Sequence, residues 1–323
     1  GEVVCKGTFS GISIGGITNL VGSMNGITIA GFTNVSDGCV NGITAGGLVN
    51  VAEGNMTGIS LSGLVNVSEG NMTGISLSGL VNVAEGRVSG ITIGGLVNVS
   101  EGNMAGISLS SLANVAEGRA SGITIGGLAN VAEGGMRGIS IGGLANVSEG
   151  GMRGISIGGL ANVSSGDMSG ISIGGRAVVA DEGPISGLPG GGLAVAALDA
   201  PISGITASAG SIWGDELSGI TIGGIGNVSF DDFEERRIDY AGIRARSARW
   251  VTAHGFDIDI EEELMGFAAS GIRINASRIT GFASSLVVSS GETRGLSIGG
   301  VNYSSDLQVG LSIGIVNYTK HLN

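Results

Sequence analysis

Several residue patterns in this chain could do chemistry, and each points to a different kind. Glu53, Glu69, Glu85, Glu101, Glu117, Glu133 and Glu149 recur every 16 residues. Carboxylates stacked at a strand spacing of about 4.8 Å repel by about 0.9 kcal/mol in water before screening. A hard cation such as calcium relieves such repulsion, which makes Glu69, Glu85, Glu101, Glu117 and Glu133 candidate metal ligands. The competing outcome is a solvated acidic stripe, softened by Arg87, Arg119, Arg137 and Arg153 nearby in the same repeat. Calcium-binding solenoids use denser Asp-rich turns, so the solvated stripe is the expected form.

Nucleophilic and redox chemistry find little support. The two histidines, His254 and His321, have no metal-ligand spacing and form no Ser-His-Asp arrangement. Cys5 and Cys39 lack a CxxC pattern and are expected to be two independent small residues rather than a disulfide. Gly190, Gly191 and Gly192 lack the Lys-Ser/Thr that completes a phosphate loop. A polysaccharide-cleaving β-helix needs paired carboxylates in a cleft, and only the acids between 231 and 263 offer any. The expectation is a non-enzymatic protein without a cofactor.

One segment has the composition of a docking site. Phe230, Phe233, Arg236, Arg237, Tyr240, Arg244, Arg246, Arg249 and Trp250 lie between or beside two acidic runs, at 231–235 and 257–263. Aromatics with arginine are the usual anchors of protein interfaces, so these residues are candidate partner contacts. An end cap with internal ion pairs fits the same composition. The net charge of −12 excludes the basic stripe that nucleic acid requires. No uninterrupted run of about 18 apolar residues could form a transmembrane helix.

These residues must be held by an unusual scaffold. Of 323 residues, 65 are Gly, 3 are Pro and 4% are aromatic. From Gly26 to Gly170 one glycine recurs every 16 residues, and a typical unit is GISIGGLANVSEGGMR, starting at Gly138. The alternation Ile-Ser-Ile reads as a half-buried strand, Leu-Ala-Asn-Val as a second, with Gly-Gly bending the chain between them. The expected fold is all-β: a β-solenoid in which each unit is one coil and identical residues stack. An antiparallel meander or outer-membrane barrel is the alternative, but it would not place identical groups at the same end and lacks aromatic girdles.

In the solenoid, Ile, Leu and Val columns should form a thin core, with Met56, Met72, Met104, Met136, Met152 and Met168 at its edge. Asn50, Asn66, Asn82, Asn98, Asn114, Asn130, Asn146 and Asn162 share one phase, and their amides should bond from coil to coil as a ladder. The Ser/Thr column, including Ser60, Thr92 and Thr124, would then line a flat outer face of the kind that binds ice or a crystal surface. Regular coils are expected over 1–229, with a slipped period over 171–218, an irregular insertion over 230–294, and coils again over 295–323.

Those last coils, GLSIGGVNY and GLSIGIVNY, place Gly295, Ile298, Gly299 and Asn302, then Gly310, Ile313, Gly314 and Asn317, in a common pattern. Central units repeat it with one extra residue, as in Gly138, Ile141, Gly142 and Asn146. The pattern resembles a bacterial surface-repeat family with units of the form G-x-x-I-G-x-x-N. The resemblance covers most of the chain outside 230–294. It implies an exported protein and brings no catalytic residues. The functional expectation is a structural scaffold that docks on other proteins in a larger assembly, as an extrinsic subunit of a membrane complex. It would sit outside the cytoplasm, in the periplasm, at the cell surface or against a membrane.

Overall fold

The computed structural model describes residues 2–224 and 242–322. Among the described residues strand makes up 77% and none is helical; the chain forms a parallel β-solenoid of about 17 turns with coils of about 16 residues. Two compact units divide it, Gly1–Gly159 and Leu160–Asn323. The strand pairings described are parallel, which separates the fold from the antiparallel meander.

In the first unit each coil supplies a long strand and a short one, such as Met56–Ser62 and Val65–Ser68. Like residues meet across coils: Gly58 lies opposite Gly74, Ile59 opposite Ile75, and Asn66 opposite Asn82. Counting from the ladder glycine, Gly138 holds position 1 of its coil and Arg153 position 16. Inward side chains come from positions 3, 9, 11 and 15, as in Ser140, Asn146, Ser148 and Met152, with Gly142 also buried at position 5.

This reverses the expected core. The Ile, Leu and Val columns lie outside, and the Ser/Thr column lies inside, with Ser60, Thr92 and Thr124 at 2–3% exposure. The reason is width. A Cβ added to Gly142 would sit 2.1 Å from the Ala145 carbonyl oxygen, so the two strands nearly touch at that end. Ser13 reaches across to the Oδ1 of Asn19 at 3.1 Å. Interiors pack to crystal-like density, and a gap of one hydroxyl and one amide cannot take facing rows of isoleucine. Methionine fits only at position 15, beside the wider turn, where Met56, Met72, Met104 and Met136 are 1% exposed.

The buried asparagines form the expected ladder. From Asn34 to Asn146, each Nδ2 donates to the Oδ1 of the next at 2.9–3.0 Å. The second amide proton goes to a position-4 carbonyl of the next coil, as from Asn50 to Leu61 at 2.6 Å and from Asn98 to Leu109 at 2.7 Å. The glycine column is equally constrained. Gly106 has φ +103°, and a Cβ there would lie 2.2 Å from the Gly90 carbonyl oxygen.

The second unit keeps the coil and changes what fills it. Position 9 runs Asn162, Val178, Val195, Ile212, Ile243, Ile258, Ile274 and Val288 in register. Amides return with Asn302, which donates to Asn317 at 2.7 Å. The described part of the segment set apart by composition, from 242 onward, is therefore made of regular coils: Gly242–His254, Asp257–Ser270 and Arg273–Ser284 pair in parallel.

Replacing Asn98 by Ala removes the acceptor for Asn82 and the donor to both Asn114 and Leu109. Stranding several buried polar groups at once should cost about 2–4 kcal/mol. Urea denaturation read by circular dichroism should show this as a lowered midpoint, against no change for the outward Glu101→Gln. Equal midpoints for the two variants would exclude a stabilising ladder.

Candidate interaction surface

The outward positions of the coil divide into two classes. Positions 2, 4, 7, 8 and 10 are aliphatic, and from residue 26 to 159 they include no charged residue and one polar residue, Thr33. Positions 12, 13, 14 and 16 hold the glutamates, glycines, outer asparagines and arginines. In the first unit this puts an apolar belt over both strands and the Gly-Gly-Leu turn between them. Ile43, Leu48, Leu64, Leu80, Ile93, Leu96 and Leu112 are each 37–38% exposed. A shallow groove of about 700 Å³ along the turn is lined by Leu61, Leu77, Ile93 and the neighbouring glycines. Contiguous exposed apolar surface on this scale marks an interaction site.

The opposite edge is polar and tied to the backbone. Asn55 Oδ1 accepts the amide N–H of Asn71 at 2.7 Å, and Asn71 Oδ1 accepts that of Arg87 at 2.8 Å. Ser68 and Ser100 donate from inside to the carbonyls of Gly54 and Gly86, both at 2.8 Å. The glutamate column stands exposed on this edge. Among the described residues no group of three or more His, Cys, Asp or Glu side chains converges as a metal site. Cys39 is a free thiol, half-buried beside the turn.

Phe230, Phe233, Arg236, Arg237 and Tyr240 lie outside the described residues. The rest of the proposed docking set is spread over consecutive positions of one coil. Arg244 is exposed opposite Trp213, Arg249 is exposed opposite Ser218, and Trp250 follows it. Arg246 pairs with Asp215 at 2.9 Å and Glu216 at 3.1 Å, acids outside both runs singled out by composition. Within the later acidic run, Asp257 pairs with Arg273 at 3.6 Å. Glu292 binds Arg278 and Arg294, and both guanidinium groups hold its carboxyl below the usual range.

Residue-type composition did not single out the placement of the aromatics. Trp250 occupies position 1, opposite Gly219 and Gly266, with φ +88° and 72% exposure. Trp213 stands at position 10, opposite Ala196. Tyr303 and Tyr318 take the same position and stack with ring centroids 5.2 Å apart. Positions 1 and 10 are the two borders between the apolar belt and the polar edge. Of the described phenylalanines, Phe9 packs half-buried against the core at position 15, opposite Met24, and the others fall within belt positions: Phe32 and Phe256 at position 7, and Phe267 stacked on Phe282 at position 2, centroids 4.6 Å apart. Phase counting against the repeat is the signal that finds this sorting.

His254 is buried at position 5, over Gly223. Its Nδ1 accepts the Phe256 N–H at 3.0 Å, which leaves Nε2–H to donate to the Gly210 carbonyl at 3.2 Å. Burial lowers its pKa, against partial opposition from the Gly210 hydrogen bond and the Asp257 charge.

Comparison of the chain with protein-family models, with curated proteins and with solved structures finds no match in any of the three.

Two predictions follow from these positions. A bulky side chain at positive φ carries strain of about 1–3 kcal/mol, so Trp250→Gly should raise the melting temperature; a lowered one would show that the indole stabilises its coil by more than that strain. For His254 the folded state favours the neutral ring, while the unfolded chain takes up a proton near its ordinary pKa of about 6.5. Stability is therefore full above that pH and declines as pH falls from there toward the lowered folded value. His254→Gln should flatten this part of a melting-temperature profile between neutral and mildly acidic pH. The same slope in both proteins would remove His254 as its source.

Proposed function

We propose that this chain is a non-enzymatic structural protein that works by surface contact, held in a larger membrane-associated assembly outside the cytoplasm. One observation carries the reading: the uncharged aliphatic belt of the first unit, which stands outward over both strands and the turn of every coil. A soluble monomer seldom exposes so continuous an apolar surface. The side chains with chemical potential serve the fold instead, since the asparagines and serines such as Ser13 and Ser68 bond across and along the interior. In the second unit Arg246, Arg273, Arg278 and Arg294 pair with Asp215, Glu216, Asp257 and Glu292 at the surface. A surface- or ice-binding role would rest on a face of regular hydroxyls, and here that column points inward.

The test is the migration of the native protein, extracted gently from its own cells, on a native gel with mass spectrometry of the band. The expected result is a large assembly of fixed composition. A variant with Leu80→Glu, Leu96→Glu and Leu112→Glu, all outward at position 7, should leave it. Wild-type protein running as a free soluble monomer overturns the reading.

A further inference from the structure

We infer that the apolar belt of the first unit seats in the hydrocarbon of a lipid bilayer, with positions 1 and 10 at the level of the headgroups. This rests on the belt being a docking surface, and it names what covers it.

Four observations favour lipid over another protein. The belt is convex: it runs over the outer face of the long strand, around the Gly-Gly-Leu turn, and over the outer face of the short strand. A rigid partner or a second copy covers one such face at a time, whereas fluid chains cover the whole edge. Positions 2, 4, 7, 8 and 10 also offer no side-chain hydrogen-bonding group beyond Thr33 and no charge between residues 26 and 159, and in the turn the exposed hydroxyl is that of Ser111, so the belt has little for a protein partner to read.

Third, hydrocarbon demands that every backbone polar group be satisfied internally. In the turn that would enter deepest, the N–H groups meet that demand. Gly95 N–H donates to Ser78 at 3.0 Å, Leu96 to Leu80 at 2.8 Å and Val97 to Leu80 at 3.1 Å, and the same pattern recurs at Gly47 to Val49 and Gly127 to Ala129. A solenoid leaves unpaired strand edges only at its ends, so the paired strands of its flank can face lipid.

Fourth, the aromatics are sorted by polarity. In the second unit, which keeps the same coil positions, every described Trp and Tyr stands at a border: Trp213, Tyr303 and Tyr318 at position 10, and Trp250 at position 1. Phe256, Phe267 and Phe282 of that unit stand between the borders. Trp and Tyr, with an apolar body and a polar tip, collect at the membrane–water interface, and phenylalanine has no such tip. The exposed glutamates lie on the opposite edge, in water, so attraction to anionic lipid supplies none of the binding.

The experiment mixes the full chain with phosphatidylcholine vesicles and floats them through a density gradient, at low and high salt. Wild-type protein should float equally in both. Both native tryptophans, Trp213 and Trp250, lie in the second unit, so a Val99→Trp substitution at position 10 of the first unit, in a Trp213→Phe, Trp250→Phe background, reports its border by fluorescence. Lipids brominated near the headgroup should quench it more than lipids brominated near the chain ends. The Leu80→Glu, Leu96→Glu, Leu112→Glu variant, checked by circular dichroism for an intact fold, should lose flotation. Protein that stays at the bottom, a triple variant that floats as well as wild type, or quenching strongest from the chain ends overturns the inference. Failure to float with a large protein assembly still present on the native gel leaves the docking reading standing and gives the belt to a protein. Failure to float with a concentration-dependent dimer gives it to a second copy.

Discussion

Between the two strands of a coil there is room for about one hydroxyl and one amide, as the Ser13–Asn19 contact at 3.1 Å shows. That gap follows from strands of seven and four residues closed by tight turns, as in Met72–Ser78 and Val81–Ala84. Facing rows of large aliphatic side chains are excluded from it, so in the first unit the alternation of each strand resolves with its small polar members inward. Interior amides then bond to one another and to carbonyls of the next coil, and Ser68 and Ser100 donate to the carbonyls of Gly54 and Gly86. Asparagine does this without end, because each amide both gives to the next coil and receives from the one before. Glycine at position 1 is forced by the same closeness, since the carbonyl of the preceding coil stands where a Cβ would be.

An amide column is close to all-or-none. One isolated Asn among valines would bury donors without acceptors, and one isolated Val would strand the amides above and below it. The second unit obeys this. Asn162 is followed in register by Val178, and β-branched residues then hold position 9 through Val288, all buried to 1% or less. Position 15 changes in parallel, from Met168 to Ile185, Ile202 and Leu217. The column switches as a block, and the backbone path stays the same. Composition alone makes 230–294 look like a different kind of structure, yet from 242 it holds the same coil with a different filling.

Period, parallel stacking and the Asn ladder were legible because each depends on identical residues recurring at one spacing. The side of the strand that faces in was not. Period-two alternation defines two faces, and hydrophobicity would assign Ile139 and Ile141 to the interior; gap width decides otherwise and has no local signature. The partner of Arg246 was hidden for another reason. Gly219 and Trp250 are 31 residues apart yet face each other on adjacent strands, and Asp215 and Glu216 are brought to Arg246 only once that spacing is counted. The same spacing conceals that Trp250 follows Gly219 in the glycine column.

The inverted coil also changes where apolar burial can come from. Ile and Leu side chains on the flank are covered by their counterparts in the coils on either side, which leaves Ile43 at 37% and Leu112 at 38% exposed, and Ile12 and Ile14 in the first coil at 65% and 68%. Stacking in this way removes part of each side chain from water, and each added coil repeats the same gain, as in other one-dimensional repeats. It cannot remove the rest, because nothing in the coil lies outside the belt. A globular domain completes its core by folding a further layer over such a face. Here the second layer of every coil is already the other strand, with its own aliphatic columns turned outward. The remaining apolar surface is therefore a direct product of the interior's width, and only something other than the coil itself can cover it.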